Sequence, residues 1–423
     1  MPTIYGPQTG HSTLYDTSSN DMIIAAGGYN TITSLSGNDT ISGGSVGYNT
    51  ILAGTQYDYA QRNVSIRVNG PGNTIDGGDA NFTIFNSSGG STISLGDGNN
   101  TLTLGGLDNT IDVGLGANTV IAGGGDDQVT VVGVVYFLNK PAAQTIAVQF
   151  SGSGNSFFNG TFNGDAEGDP QPVFSTITGG SGDGNYTLWG GGSVTTNGLN
   201  NTIDVYEGNY TIVAGSGDDT VAMDNPFEAD MSVAVKLAGT GNTVGGGASN
   251  VNISGGAGDT TVNLGDGFGA VDANITLGGS NNTVTAQIVH GYLDPGGSGA
   301  IINLTYADNL NIIVRGSGDY IGMGDVTTAN INDQSNGLQI DVTDEANATI
   351  TNFGFDRGAV LAIDLTIDPL YPYPQPFQNA DQIVAALRQT PRGAALSYGG
   401  DAPGSFLFAG VSVSQLHASN FAV

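Results

Sequence analysis

The chain has 423 residues, and 8 Lys+Arg against 38 Asp+Glu give a formal net charge of −30. A charge of that sign excludes a generic nucleic-acid binder, which would be repelled by a polyanion. With no Cys there is no disulfide framework, zinc–thiolate site or cysteine nucleophile, and 70 Gly alongside 38% apolar residues, without a period of three, describe a folded chain that is neither disordered nor collagenous.

Residues 1–20 carry Ile4, Tyr5, Leu14 and Tyr15 and read as an N-terminal arm able to add to a neighbouring subunit. The opening Met1-Pro2-Thr3-Ile4-Tyr5 has neither a basic nor an apolar region, so no cleavable secretory signal is expected there. No apolar run approaches the ~18 residues of a transmembrane helix.

From about residue 21 to 350 the sequence repeats. Thr followed by an aliphatic residue recurs every nine residues at Thr74-Ile75, Thr83-Ile84, Thr92-Ile93, Thr101-Leu102, Thr110-Ile111 and Thr119-Val120, with Thr31-Ile32 and Thr40-Ile41 before them. The register returns at Thr202-Ile203, Thr211-Ile212 and Thr220-Val221, and again at Thr243-Val244 and Thr261-Val262. Asn109 through Asp127 echoes Asn201 through Asp219 at a constant offset of 92 residues, the mark of a duplicated block. A nine-residue unit is too short for a helical repeat. It suits a short strand, with the aliphatic inward and Thr outward, followed by a Gly/Asn/Asp turn. Two units close a coil of ~18 residues, and stacked coils pair in parallel, giving an all-β parallel β-solenoid of the β-roll or β-helix kind.

Three stretches depart from the register and read as excursions: 131–175, rich in Phe and Pro, 223–241 and 286–300. Residues 351–423 differ in composition. Asp368 through Phe377 is a Pro-rich extended segment, and Asn379 is placed to cap a short helix from Ala380 to Gln389 with Ile383, Val384, Ala386 and Leu387 on its apolar stripe. Pro391-Arg392-Gly393 ends it, and strand-like Phe406 through Val411 follows.

Ala122-Gly123-Gly124-Gly125-Asp126-Asp127-Gln128-Val129 and Ala214-Gly215-Ser216-Gly217-Asp218-Asp219-Thr220-Val221 resemble the calcium-binding nonapeptides of RTX (repeats-in-toxin) proteins. Residues 351–423 resemble the uncleaved signal of type I-secreted members of that family. The resemblance implies Ca²⁺ as cofactor, export by the type I secretion machinery, and folding outside the cell where calcium is available. It also implies that the Asp at the sixth position of the nonapeptide, with turn carbonyls, ligates the ion. Here that position is Asp39, Asp127 and Asp219, but Asn73, Asn100, Asn109, Asn118 and Asn201 elsewhere. The expectation is a solenoid laddered mostly by Asn, with calcium at a few turns built from Asp39, Gly123, Gly125, Asp126, Asp127, Gly215, Gly217, Asp218, Asp219 and Asp259.

Among function classes, an enzyme is disfavoured. From residue 68 through 314 the only cations are Lys140 and Lys236, His290 in a loop with Tyr292 and Asp294 is the least improbable catalytic group, and no Gly-x-Ser-x-Gly or His-Glu-x-x-His motif occurs. Thr rows, and Trp189 beside three glycines, admit a binding rod. Repeats occupy nearly everything before residue 350, so the favoured reading is a secreted building block. It would self-assemble head to tail into an extracellular filament, matrix or surface layer, similar to RTX-type S-layer proteins. The alternatives are a monomeric calcium-dependent adhesin that holds a cell-surface glycan, and a polysaccharide-modifying solenoid enzyme.

Overall fold

A computed structural model describes residues 1–54, 62–131, 144–160, 173–224, 231–265, 271–364, 376–399 and 403–423. The chain divides into two compact units, Met1–Thr211 and Ile212–Val423. Each is a parallel β-solenoid.

In the first unit most coils contribute two short strands, while Asn185–Thr195 is one strand that serves both rows. β1 (Thr3–Tyr5) pairs in parallel with β3 (Met22–Ile24), and β2 (Thr13–Tyr15) with β4 (Thr31–Ser34). The row of β2 and β4 continues through Thr50–Ala53, Thr74–Gly77, Thr92–Ser94, Thr110–Val113 and Gln128–Val131, always in register. Ile32, Ile51, Ile75, Ile93, Ile111 and Val129 therefore stack as one fully buried column. The alternation causes this: β-branched side chains suit a pleated surface, and successive residues face opposite sides, so each Thr-Ile pair sends Ile inward. Burying one such side chain stabilises the fold by roughly 2 kcal/mol.

The second unit continues the scheme. Thr220–Met223, Thr243–Gly246, Thr261–Leu264 and Thr283–Asp294 form one row, while Ser232–Leu237, Asn250–Gly255 and Val271–Leu277 form the other. Beyond them Ile301–Ser317 and Tyr320–Asn336 each run unbroken for 17 residues and pair from Ile301↔Tyr320 to Ser317↔Asn336.

Several sequence boundaries are corrected. Residues 1–20 are no arm: β1 and β2 form the first coil, because Thr13-Leu14 lies one coil length before Thr31-Ile32 and packs on it in register. Residues 286–300 are no excursion, since Thr283–Asp294 pairs with Val271–Leu277 and with Ile301–Ser317. In 223–241, Ser232–Leu237 is an ordinary coil strand paired with Asn250–Gly255. In 131–175, Gln144–Phe150 pairs with Ala117–Ala122 and Val173–Thr178, and Ser156–Asn159 with Gln128–Val131. There Phe150 and Phe157 are buried as core residues, and Phe174 is exposed. The remainder of these excursions, 132–143, 161–172 and 225–230, lies outside the described residues, as does most of the Pro-rich segment at 365–375.

The solenoid also runs past residue 350, because Val360–Ile363 pairs with Gln339–Val342. The expected helix is α1 (Ala380–Ala386), with the Asn379 side chain accepting the Gln382 N–H and Ile383 fully buried. It stops before Gln389, since Arg388–Thr390 turns through Pro391 into an antiparallel pair with Gly393–Tyr398. That strand pairs in turn with Gly404–Ala409, which runs parallel to Ala346–Thr351, and Phe421–Ala422 adds to Val360–Ile363.

Candidate functional site

Except for Asp39, the candidate metal residues sit at one corner of the coil, where the turn leads into the row of β2 or its counterpart in the second unit. Two positions there repeat. At most turns the residue just before the strand is buried and polar, and where it is Asn or Asp its side-chain oxygen accepts a backbone N–H from the coil before it. Ser12 N–H goes to Asn30 Oδ1 at 3.2 Å, Asn30 to Asn49 at 3.1 Å, Asn49 to Asn73 at 3.1 Å and Ser91 to Asn109 at 3.3 Å. The amide Nδ2 donates along the same column, from Asn30 to Asn49 Oδ1 at 2.9 Å and from Asn49 to Asn73 Oδ1 at 3.0 Å. The expected Asn ladder is thus a run of buried rungs in which backbone donors that the turn leaves unmatched are satisfied by the next coil.

The residue before each rung is left-handed. Tyr29, Tyr48, Asp108, Asp126, Asp183, Asn200, Asp218, Asp259 and Asn281 all have φ between 51° and 62°, and Gly takes the same place at Gly72, Gly154, Gly241 and Gly299. Asp and Asn tolerate this conformation best among residues with a Cβ.

These two positions separate the predicted residues. Asp127 is a rung: its Oδ1 accepts Asn109 N–H at 2.9 Å and Asn109 Nδ2 at 2.8 Å, while its own N–H goes to Asn155 Oδ1 at 3.2 Å. It is 1% exposed, and its Oδ2 is buried with no hydrogen-bond partner. Burial pushes its carboxyl above the usual carboxylate range, opposed by the Asn109 bonds. Asp219 is the matching rung, fully buried, with its N–H on Asn242 Oδ1 at 3.3 Å. Asp126 and Asp218 are the exposed left-handed residues before them, each with an oxygen lying over a glycine of the next coil, Gly154 and Gly241. Gly125 and Gly217 have φ of 116° and 128°, and a Cβ on either would stand 2.6 Å from Ser153 O or Thr240 O. Gly123 and Gly215, at the head of each turn, are half-buried.

Asp39 and Asp259 do not join this set. Asp39 is buried in the other row, where it accepts Asp21 N–H at 2.7 Å and Ser34 Oγ at 2.5 Å, and burial raises its carboxyl. Asp259 is an exposed left-handed residue like Asp126, and its rung is Thr260, whose N–H goes to Asn282 Oδ1 at 2.9 Å. Among the described residues, no three His, Asp or Glu side chains converge to hold a metal ion. A cation here would therefore rest on one rung carboxylate and turn carbonyls, a shell that suits a hard oxygen-seeking ion.

Two features escaped the sequence reading. His11, Tyr29 and Tyr48 occupy the left-handed position of successive coils, their rings stacked at 5.0 and 5.1 Å and within 9° of parallel. Asp319 is a further buried rung, signalled in retrospect by Gly316-Ser317-Gly318-Asp319 two residues before the inward Ile321. Of the other groups considered, His290 is exposed and its Nδ1 lies 3.1 Å from exposed Asp272, and Trp189 stacks on Tyr206 at 4.7 Å.

Comparison with known proteins finds no matching family model, no matching curated protein and no matching solved structure.

Proposed function

We propose that this chain is a secreted structural protein of the RTX type, exported by the type I machinery and assembling head to tail into an extracellular filament, matrix or surface layer. The observation that supports it best is the outer edge of the first coil. Pro2 O and Gly6 N–H bond to β3, and Ser12 O and Asp16 N–H to β4. By strand alternation the N–H and C=O groups of Thr3, Tyr5, Thr13 and Tyr15 face the other way, toward the position of a further coil. Tyr5 and Tyr15 are 72% and 64% exposed there.

In this reading the partner edge lies in the second unit. Gly404–Ala409 is parallel to its solenoid neighbour, and two antiparallel steps later Arg388–Thr390 again runs in the parallel sense with Arg388 exposed. The first coils carry Asp16, Asp21 and Asp39 and no Lys or Arg before Arg62. Opposite charge favours the first coil of one copy meeting the Arg388 strand of the next.

Calcium belongs to the same proposal. The Oδ2 of Asp127, buried and unpartnered, is the atom that would take it, with turn carbonyls completing the shell. A row of threonines in register, exposed at Thr13, Thr31, Thr50, Thr74 and Thr92 and half-buried at Thr110, supports the second reading, a monomeric rod that holds a surface glycan.

Light scattering on the full chain in millimolar Ca²⁺ tests the edge. Thr13→Pro removes one edge donor and should lower the assembled mass, leaving the circular dichroism of the solenoid unchanged. A parent chain that scatters as a monomer would favour the glycan-binding rod.

A further inference from the structure

Asp319 lies outside every turn assigned above to calcium, yet it sits at a rung position that the column fills most often with asparagine. Its Oδ1 accepts Ala300 N–H at 3.0 Å, it is 1% exposed, and its Oδ2 is buried without a hydrogen-bond partner. Asparagine rungs show what that second atom normally does. Asn118 Nδ2 donates to Gly114 O at 2.9 Å, Asn242 Nδ2 to Ala238 O at 3.0 Å, and Asn282 Nδ2 to Gly278 O at 3.0 Å and Pro295 O at 2.7 Å. At these asparagine turns the slot presents carbonyl oxygens, from the rung's own turn and, at Asn282, also from Pro295, and calls for a donor. An ionised carboxylate would present an acceptor to acceptors inside a buried site.

We propose that Asp319 carries a proton in the folded protein and serves as an asparagine surrogate, its Oδ2–H donating to a carbonyl of the turn before it, so that a single proton locks this corner of the second unit. The charges around it do not compensate ionisation. Asp333, fully buried on Tyr320–Asn336, adds repulsion. Arg315 is paired with Asp294. Arg357 donates to Asn352 O at 2.9 Å and to Asp333 O at 3.3 Å, and lies 3.9 Å from Asp333 Oδ2. Tyr320 faces Asp341, His290 faces Asp272, and Asp308 and Asp325 lie well along their strands from the rung. Burial is the largest influence on the Asp319 carboxyl and raises it, against the N–H groups of Ala300 and Gly299.

The direction of the pH effect follows. A carboxyl that binds its proton more tightly folded than unfolded contributes stability that is complete below the unfolded pKa of about 4 and is lost as pH rises through the folded value. Asp319→Asn supplies the donor permanently. Thermal melts of the full chain and of D319N, in chelator from pH 3.5 to 8, isolate this rung because every other carboxylate is common to both. The expected result is coincident melts near pH 3.5 and a gap that opens with pH, D319N melting about 2–4 °C higher at pH 7. A gap that is absent, reversed or equal at every pH overturns the proposal. Infrared difference spectra give a readout that survives poor folding of the variant: the parent should show a protonated carboxyl stretch at pH 6, and its absence rejects the idea. Calcium that raises the parent's melt but not that of D319N would place a cation, not a proton, in the slot.

Discussion

Asn109 and Asp127 are consecutive rungs of one buried column, and the bond between them shows how little the chemistry must change from rung to rung. The Asp127 carboxylate oxygen accepts the same backbone N–H that an amide oxygen accepts elsewhere, at 2.9 Å. Asn109→Ala should leave its own turn and the preceding rung unsatisfied and destabilise the chain by about 1–3 kcal/mol, measured by urea denaturation. Asp127→Asn separates the two roles of the rung. In chelator it should melt at or above the parent, and the rise in melting temperature predicted for the parent in Ca²⁺ should shrink. An undiminished calcium response would remove Asp127 from the metal site. At the left-handed position, Asp126→Gly should change stability by less than about 1 kcal/mol, whereas Asp126→Val should lose ~1–2 kcal/mol to backbone strain. The rung position was legible in sequence because Asn or Asp precedes so many Thr-aliphatic pairs. The left-handed position was not, since Tyr29, Asp126 and Gly154 share a conformation without sharing a residue type, and Asp259 was therefore grouped with Asp127.

At the scale of the coil, what is invariant is the stacking in space, and sequence spacing follows it only loosely. Successive rungs are 18 residues apart at Asn109 and Asp127, 24 at Asn49 and Asn73, and 28 at Asp127 and Asn155. Strict nine-residue counting therefore found the coils from Thr74 to Val129 and misread those around Phe150 and Thr283, whose strands are in register but whose connections are longer. The same arithmetic overlooked the first coil. The helix was legible from its cap, but not its end, because hairpin pairing at Arg388 overrides helix propensity. Two substitutions test these elements by equilibrium denaturation. Ile111→Ala empties a site in a continuous column and should cost about 2–5 kcal/mol. Asn379→Ala removes the Gln382 cap and should cost ~1 kcal/mol, confined to the C-terminal region.

At the scale of the whole molecule, charge bears on the proposed assembly. A net charge of −30 disfavours close approach of copies, and Asp39, Asp127 and Asp319 are all carboxyls whose burial favours the protonated form. Without metal, stability should therefore be greatest in mild acid and decline as pH rises through their folded values, and a divalent cation should restore part of it near neutrality. Copies that meet through β1 and β2 would extend a sheet that already runs through every coil of the first unit. The most direct test is negative-stain electron microscopy of the purified chain in millimolar Ca²⁺ beside a sample in chelator. Ordered filaments or sheets in calcium, and dispersed particles in chelator, are the predicted result; isolated particles in both would contradict it.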